Sequence, residues 1–328
     1  MPRSAFRDRL RAGGRVSQTR RRPLKVGIEL PVAQDKGRAG TPRWADIRLM
    51  ACRAEEVGFD SVWVEDHLIF HHAEQAPQGV WEGWTLLAAI AAATSRVEIG
   101  PLVSCVSFRN PALLAKMADG VDEISGGRLV LGLGAGWHEP EYRAFGMPFD
   151  HRVSRFEEAL AIVLGLLHEG HVDFEGRFFQ ARDCELRPRG PRPAGPPILI
   201  GSIGERMLGL TARHADLWNA YFTHTKNRPE GVGPLRDRVD AACRETGRDP
   251  ASLGRTVAVY VEMGPASAPA RPRAPHWTFE PLTGDADALA DELRRYASQG
   301  VGHVQLWLEP NTPESIEAFA PVLARLER

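Results

Sequence analysis

LKVGIELP, at residues 24–31, is an apolar run that ends on a proline. A doubly wound nucleotide-binding sheet would instead leave its first strand through a GxGxxG turn. Here the glycine-rich run comes much later, as RLVLGLGAGW at 128–137. Six further runs share the same character: SVWVE at 61–65, VEIGPLV at 97–103, PILI at 197–200, DLWNA at 216–220, TVAVYV at 256–261 and HVQLWL at 303–308. Most are continuously apolar rather than alternating, the pattern of parallel strands buried on both faces. Helical stripes fill the gaps. Ile47, Met50, Ala51, Ala54 and Val57 precede Gly58; Leu114, Met117, Val121 and Ile124 precede Gly126-Gly127; Leu289, Leu293, Tyr296 and Ala297 precede Gly300; Ile316, Phe319, Ala320 and Leu323 form the last stripe. Glycine after a stripe is a helix stop. Eight strands alternating with helices predict an α/β protein of the (β/α)8 barrel type. Strand count alone leaves the doubly wound sheet as rival, and Pro31 weighs against it.

Two stretches interrupt the repeat. Residues 170–196 read as a small hairpin and a Pro-rich loop inserted before strand five. Residues 264–283 hold five prolines with Trp277 and Phe279 and follow strand seven. Long loops of this kind are often lids, and this one is expected to be a mobile flap over the barrel mouth.

The 328 residues suffice for one barrel, which needs about 250. Hydrophobic content of 43% and charged content of 25% exclude disorder of the whole chain. A net charge of −1 speaks against a general nucleic-acid binder, but it hides a split. The first 22 residues carry eight Arg and one Asp, a net of +7, leaving −8 for the rest (−1 minus +7). That start has no apolar segment behind it, so it is not an export signal. Residues 1–23 are expected to be a basic disordered tail, and 24–328 a single barrel domain. No run approaches the roughly 18 apolar residues of a membrane span. Cys52, Cys105, Cys184 and Cys243 form no CxxC and no metal-ligand pair. They read as buried thiols in a reducing cytoplasm, with no metal centre.

A barrel's active site forms from the loops after the carboxyl ends of its strands. Those loops here hold Glu65, Asp66 and His67; Ser104, Cys105, Phe108 and Arg109; Ala135, Gly136, Trp137, His138 and Glu139; Gly201 and Ser202; Asn219, Tyr221 and His224. Polar and aromatic groups therefore gather on one rim. His67 is the leading catalytic candidate, since histidine gives and takes protons near neutral pH. Its alternatives are a rim histidine satisfied by a carbonyl, and a metal set with Asp66, His71 and His72. Gly201, Ser202 and Gly204 precede a helix, whose free amides suit a phosphate. A plain βα turn is the other reading.

SVWVEDH, the stretch from Trp84 to Phe149 with NPALLAKMADGVDEISGGRLVLGLGAGW inside it, and PPILIGSIGERMLGLTARHADLWN resemble the luciferase-like monooxygenase superfamily. The likeness is strongest to its F420-dependent oxidoreductase branch and runs from about residue 24 to the C-terminus. It implies a flavin-shaped ring in the barrel mouth and a bulge after strand three, with a non-prolyl cis peptide near Leu102–Val103. It places the family histidine at His67 behind Asp66, and phosphate contacts at Gly201, Ser202, Ile203 and Gly204. Leu102, Val103, Ser104, Ala135 and Gly136 complete the expected cofactor set. Sugar-phosphate dehydrogenases of that branch have an acidic residue and a Trp where this chain has Trp137 and His71, so their substrate and acid are not carried over. Glu139 and Glu141 lie close enough to replace the acid, and Glu139 is taken with His67 and Asp66 as the catalytic set.

The resemblance implies hydride transfer with F420 on a small, apolar organic substrate held by His71, Trp81, Phe108, Trp137 and Tyr221. The alternative is an FMN-dependent monooxygenase fed by a separate flavin reductase. A non-catalytic flavin-binding barrel or a metal-dependent hydrolase are readings of another class. A homodimer is compatible with all of them.

Overall fold

Each apolar run becomes a strand, and the strands close on themselves. The structure is a computed structural model that describes residues 22–34, 41–71, 76–264 and 278–327. Its barrel strands are β1 (Lys25–Glu29), β2 (Ser61–Val64), β3 (Glu98–Pro101, resuming as Ser104–Cys105), β4 (Leu131–Gly134), β5 (Ile198–Gly201), β6 (Leu217–Ala220), β7 (Gly254–Glu262) and β8 (His303–Glu309). Neighbours pair in parallel in the order β3-β2-β1-β8-β7-β6-β5-β4. The second half of β3 then pairs with β4, Ser104 opposite Leu133 and Cys105 opposite Gly134, and Ile99 bridges Leu129. The sheet is thus a barrel, and the open doubly wound alternative is out. The break in β3 carries a cis peptide at Leu102–Val103, where the family likeness put it.

Among the described residues, eight longer helices pack outside: α1 (Trp44–Val57), α2 (Gly83–Ala93), α3 (Pro111–Ser125), α4 (Arg152–Glu169), α5 (Glu205–His214), α6 (Val232–Glu245), α7 (Ala286–Ser298) and α8 (Pro313–Leu326). Asn110 caps α3 through Ala112 and Leu113 amides, Pro111 opens it, and Gly126 ends it in the left-handed conformation. Leu114, Ala115, Ala118 and Val121 are its buried face, whereas Ile124 of the expected stripe is 52% exposed.

Two apolar layers result. Val26, Ile28 and Leu30 point outward into the strand–helix core, while Trp63, Leu102, Val130, Leu199, Phe222, Ala258, Tyr260 and Phe279 fill the barrel interior. Gly27 faces that interior. A Cβ there would stand 2.1 Å from Ser61 Oγ and 2.7 Å from Trp63 Nε1, so the Trp63 indole needs a bare backbone. Strand side chains alternate, and Glu29 therefore faces inward as well.

The first insertion is a hairpin, His171–Glu175 against Gln180–Glu185. Of the second, residues 265–277, with Trp277, lie outside the described residues. Its end is fastened: Phe279 is buried 4.9 Å from Phe222 in the interior, and Leu282 bridges Val261. An antiparallel bridge of Ile69–Phe70 with Gln78–Gly79 shapes the loop after β2.

Most of the tail, 1–21, also lies outside the described residues. Arg22, assigned to the tail from the sequence, docks instead. Its side chain is 3% exposed and donates to Gly58 O at 2.7 Å and Asp60 Oδ2 at 3.1 Å. Two thiols also depart from expectation: Cys105 and Cys243 are buried, but Cys52 and Cys184 only half-buried. Among the described residues no helix is long and apolar enough to cross a membrane.

Candidate active site

Asp66 follows β2 directly and is 3% exposed. Its Oδ2 accepts from Ser104 Oγ at 2.6 Å, Cys105 N at 3.2 Å and Arg109 Nη1 at 2.7 Å, and its Oδ1 from Arg109 Nη2 at 2.8 Å. Trp84 Nε1 donates to Ser104 Oγ at 3.0 Å, and Arg109 also reaches Glu82, the cap of α2. Asp66 thus ties the resumed half of β3 to the ends of β2 and α2. With its lone pairs occupied, Asp66 positions the wall, and none of these bonds goes to the neighbouring imidazole.

The group that holds His67 is Glu141, from the short helix Glu139–Ala144 after β4. His67 Nδ1 donates to Glu141 Oε1 at 2.9 Å, and Leu68 N donates to Glu141 Oε2 at 2.9 Å. Glu141 is 1% exposed and His67 keeps 17% of its side chain open. Burial opposes the imidazolium, but the Glu141 hydrogen bond and the charges of Glu65, Glu141 and Asp66 outweigh it, so the His67 pKa is raised above its ordinary value. Phe70 and Trp137 flank the ring, with centroids 4.4 and 5.6 Å away. Glu139, the sequence-based choice of acid, is exposed on the other side of that short helix. Residues two apart on a helix point different ways, which is why the neighbour Glu141 is the one buried against His67.

The wall expected from the sequence to face a cofactor is built from backbone. Gly134 and Gly201 end β4 and β5 facing Val103; a Cβ on Gly134 would come 2.6 Å from Val103 Cγ2, and one on Gly201 3.3 Å. Gly136 has φ +77°, and a Cβ on it would strike the Tyr142 hydroxyl at 1.8 Å. That hydroxyl donates to Ala135 O at 3.0 Å and lies 2.9 Å from Cys105 Sγ, whose thiol burial pushes up to about 12. Beyond Gly201 the chain enters α5 at Gly204, and no side chain caps its first turn. A wall without protruding side chains beside uncapped helix amides fits a flat ring carrying a phosphate. Ser202 contributes differently from expectation. Its Oγ lies 2.9 Å from Thr211 Oγ1 and its amide donates to Asn219 O at 3.2 Å, so it fastens the turn while Ile203 and Gly204 stay exposed.

The expected substrate aromatics divide. Trp137, 58% exposed, and half-buried Tyr221 stand at the mouth. Phe108 is buried against Tyr142 in a satellite core, and Trp81 donates to Pro42 O at 2.7 Å on the outer loops. His71 donates its amide to His138 Nε2 at 3.1 Å. Glu29, which sequence reasoning passed over, and Glu65, placed on the rim but given no role, also sit here. Burial, then the Glu65 charge, hold the Glu29 carboxyl well above the usual range; burial also raises Glu65. A charge inside a strand apolar on both faces was the signal for Glu29. Among the described residues no group of three or more His, Cys, Asp or Glu is placed to hold a metal.

A closed parallel barrel with a split third strand and a histidine–carboxylate pair in its mouth has the architecture of a barrel oxidoreductase. The chain belongs to the luciferase-like monooxygenase family, whose model matches residues 24–317. It is 31% identical over 214 residues, 64% of this chain, to the pyrimidine monooxygenase RutA of Cronobacter sakazakii (strain ATCC BAA-894), and 35% identical over 214 residues to RutA of Methylorubrum extorquens (strain PA1). The matches span 60% and 55% of the length of these relatives. Among solved structures, an F420-dependent secondary alcohol dehydrogenase with an F420–acetone adduct superposes with a TM-score of 0.74 at 20% identity, over 92% of this chain and 99% of that one. Riboflavin lyase RcaE, with modified FMN and riboflavin, gives 0.74 at 15% identity over 92% and 91%. At such identities the likeness shows the fold.

Proposed function

We propose that the chain is an FMN-dependent monooxygenase that oxidises a small organic molecule beside His67. The observation that carries this reading is the buried Glu141 carboxylate holding His67 at the rim, beside the bare wall of Val103, Gly134 and Gly201. The relatives at 31–35% identity are named monooxygenases. Transfer of oxygen from O2 asks for a cofactor that passes electrons to oxygen, which bound reduced flavin supplies and a deazaflavin mostly does not. Among the comparisons, the F420 expectation has only fold likeness behind it.

In this reading the amides around Gly204 hold the phosphate, and Val103, Gly134 and Gly201 support the ring. Glu141 keeps His67 Nδ1 protonated and leaves Nε2 to hold or give a proton at the reacting centre. Phe70 and Trp137 shield the imidazole from water. Reduced FMN would come from a separate reductase. The relatives' pyrimidine is not carried over, because the chain spans only part of their length.

Anaerobic fluorescence titration with reduced FMN and with F420, followed by admission of oxygen, tests this. Micromolar FMN affinity, weaker F420 binding and oxygen uptake are expected. Tight F420 binding without an FMN response overturns the choice of cofactor, and silence toward both overturns the reading.

A further inference from the structure

One part of the mouth is built unlike the rest. Glu29 ends β1 on its interior face and is fully buried, and neither carboxylate oxygen has a hydrogen-bond partner among the described residues. Gln305 on neighbouring β8, paired in register with Gly27 one layer below, is equally buried. Its Oε1 accepts from Asn219 Nδ2 at 3.1 Å, while its Nε2 has no partner there. Asn311 donates to the Glu29 main-chain oxygen at 2.8 Å and leaves its own Oδ1 unpartnered. Glu65 is close enough to repel Glu29, and the Tyr221 phenol feels both carboxyl groups.

Asp66, in the same mouth, shows what a structural carboxylate looks like here: two guanidinium bonds, a hydroxyl and an amide. A buried carboxylate without such partners is costly to the fold. A position with only structural duties would be apolar, as Ile28 and Leu30 are on either side. Rule-breaking of this kind concentrates at functional sites.

We propose that Glu29 and Glu65 are the counter-ions of the substrate, and that the mouth selects small organic cations, an amine or amidine on an apolar body. The cation's N–H groups take the unpartnered Glu29 oxygens, Glu65 adds its charge, and Asn311 Oδ1 is a further acceptor within the same cluster. This rests on the mouth being the substrate site but not on which cofactor lies in it. The groups facing Glu29 are Glu65 from the end of β2 and Tyr221 from the loop after β6. Facing Glu65 in turn are Glu141 and His67, and His67 is engaged by Glu141. Burial and the Glu65 charge raise the Glu29 pKa, and an entering ammonium ion opposes that shift, so binding is expected to release protons to the buffer.

Calorimetric titration of the full chain at neutral pH tests this, with amines and their alcohol isosteres as probes: methylamine and methanol, isobutylamine and isobutanol, benzylamine and benzyl alcohol. At least one amine is expected to bind about tenfold or more tightly than its alcohol. Its heat should differ between phosphate and Tris buffers by the released proton, and Glu29→Gln or Glu65→Gln should remove the preference. No amine preferred in any pair, or a preference untouched in both variants, overturns the proposal. Should Glu29→Gln fail to fold, the buffer dependence of the parent and the Glu65→Gln titration decide. FMN titration of the same samples keeps the two readings apart. Amine preference without FMN binding sinks the monooxygenase reading alone, and FMN binding without amine preference sinks this one.

Discussion

The two ends of the barrel treat buried polar groups in opposite ways. At the amino-terminal floor most of them pair off. Trp63 Nε1 donates to Ser61 Oγ at 2.7 Å, and Ser61 Oγ lies 2.8 Å from His303 Nε2, a histidine that burial keeps neutral with its pKa lowered to about 3. Arg192 Nε reaches Asp122 Oδ2 at 2.7 Å, and Arg128 bonds Val97 O and Ala91 O at 2.8 Å. Arg22 joins Gly58 and Asp60, in the turn between α1 and β2, to Glu327 beyond α8, and so ties together the two ends of the chain's described course. At the mouth, Glu29 and Asn311 keep polar atoms with no partner among the described residues. Floor polarity holds the barrel shut, whereas the unpartnered polar atoms of the mouth are the ones proposed above to meet a ligand. The division matches the general separation of stability and activity between the faces of such barrels.

If that division is right, substitutions at the mouth and floor should fail in different assays. The largest effect belongs to His67→Ala, which removes a positioned acid–base group. Turnover at saturating cofactor should fall about 10²–10⁴-fold with cofactor affinity little changed. An unchanged single-turnover rate would reduce His67 to a binding residue. Arg109→Ala tests the one part of the mouth that behaves like floor, because it strands the buried Asp66 carboxylate. A loss of about 3–5 kcal/mol in denaturant unfolding is expected. A loss below about 1 kcal/mol would show that Ser104 and the Cys105 amide suffice.

Arg22→Ala should cost about 1–3 kcal/mol through its charge-assisted hydrogen bonds, while deleting residues 1–21 leaves the melting temperature unchanged. Equal loss in both would mean that the arm before Arg22 also docks. Glu29→Gln should do the reverse of a floor mutation and stabilise. The Glu29 carboxyl is raised above its unfolded value, so its favourable contribution is complete only at acid pH and drains as pH climbs toward the folded value. The variant's advantage should therefore widen with pH, by at most about 1.4 kcal/mol per unit. A pH-independent difference in unfolding free energy would show that Glu29 is paired after all.

The floor and the frame were readable from sequence because they depend on long patterns. Eight apolar runs and three glycine stops averaged over local noise, and every barrel strand falls on its run. The mouth depends on single side chains, whose direction no pattern encodes. His67 was legible from its place after β2. Its partner was not, since Glu139 and Glu141 differ only in which way a short helix turns them. Phe108 and Trp137 look alike as aromatic rim residues, yet one packs on Tyr142 and the other lies open. Ser202 stands in a phosphate-type turn but spends its hydroxyl on Thr211. Glu29 escaped notice for the opposite reason: a strand recognised by its apolar run hides its one buried charge.

The smallest expected effect is the most diagnostic, and it concerns Glu141→Gln. The Glu141 carboxylate accepts from both His67 Nδ1 and Leu68 N. A glutamine has one oxygen, so either the Leu68 amide loses its acceptor or the glutamine NH2 must face Nδ1, which then has to be the unprotonated nitrogen. The second arrangement is incompatible with a charged imidazole. Because the folded His67 pKa is raised above the unfolded value of about 6.5, the pair stabilises the fold below that pH. This contribution is lost as pH rises through the folded value. The variant should thus cost about 1–2 kcal/mol on the acid side and progressively less on the alkaline side. The His67 titration midpoint, followed by NMR, should fall, and the alkaline limb of the turnover profile should move to lower pH with it. A midpoint and profile both unmoved would mean that the Glu65 and Asp66 charges alone set the state of His67, and that Glu141 serves only the Leu68 turn.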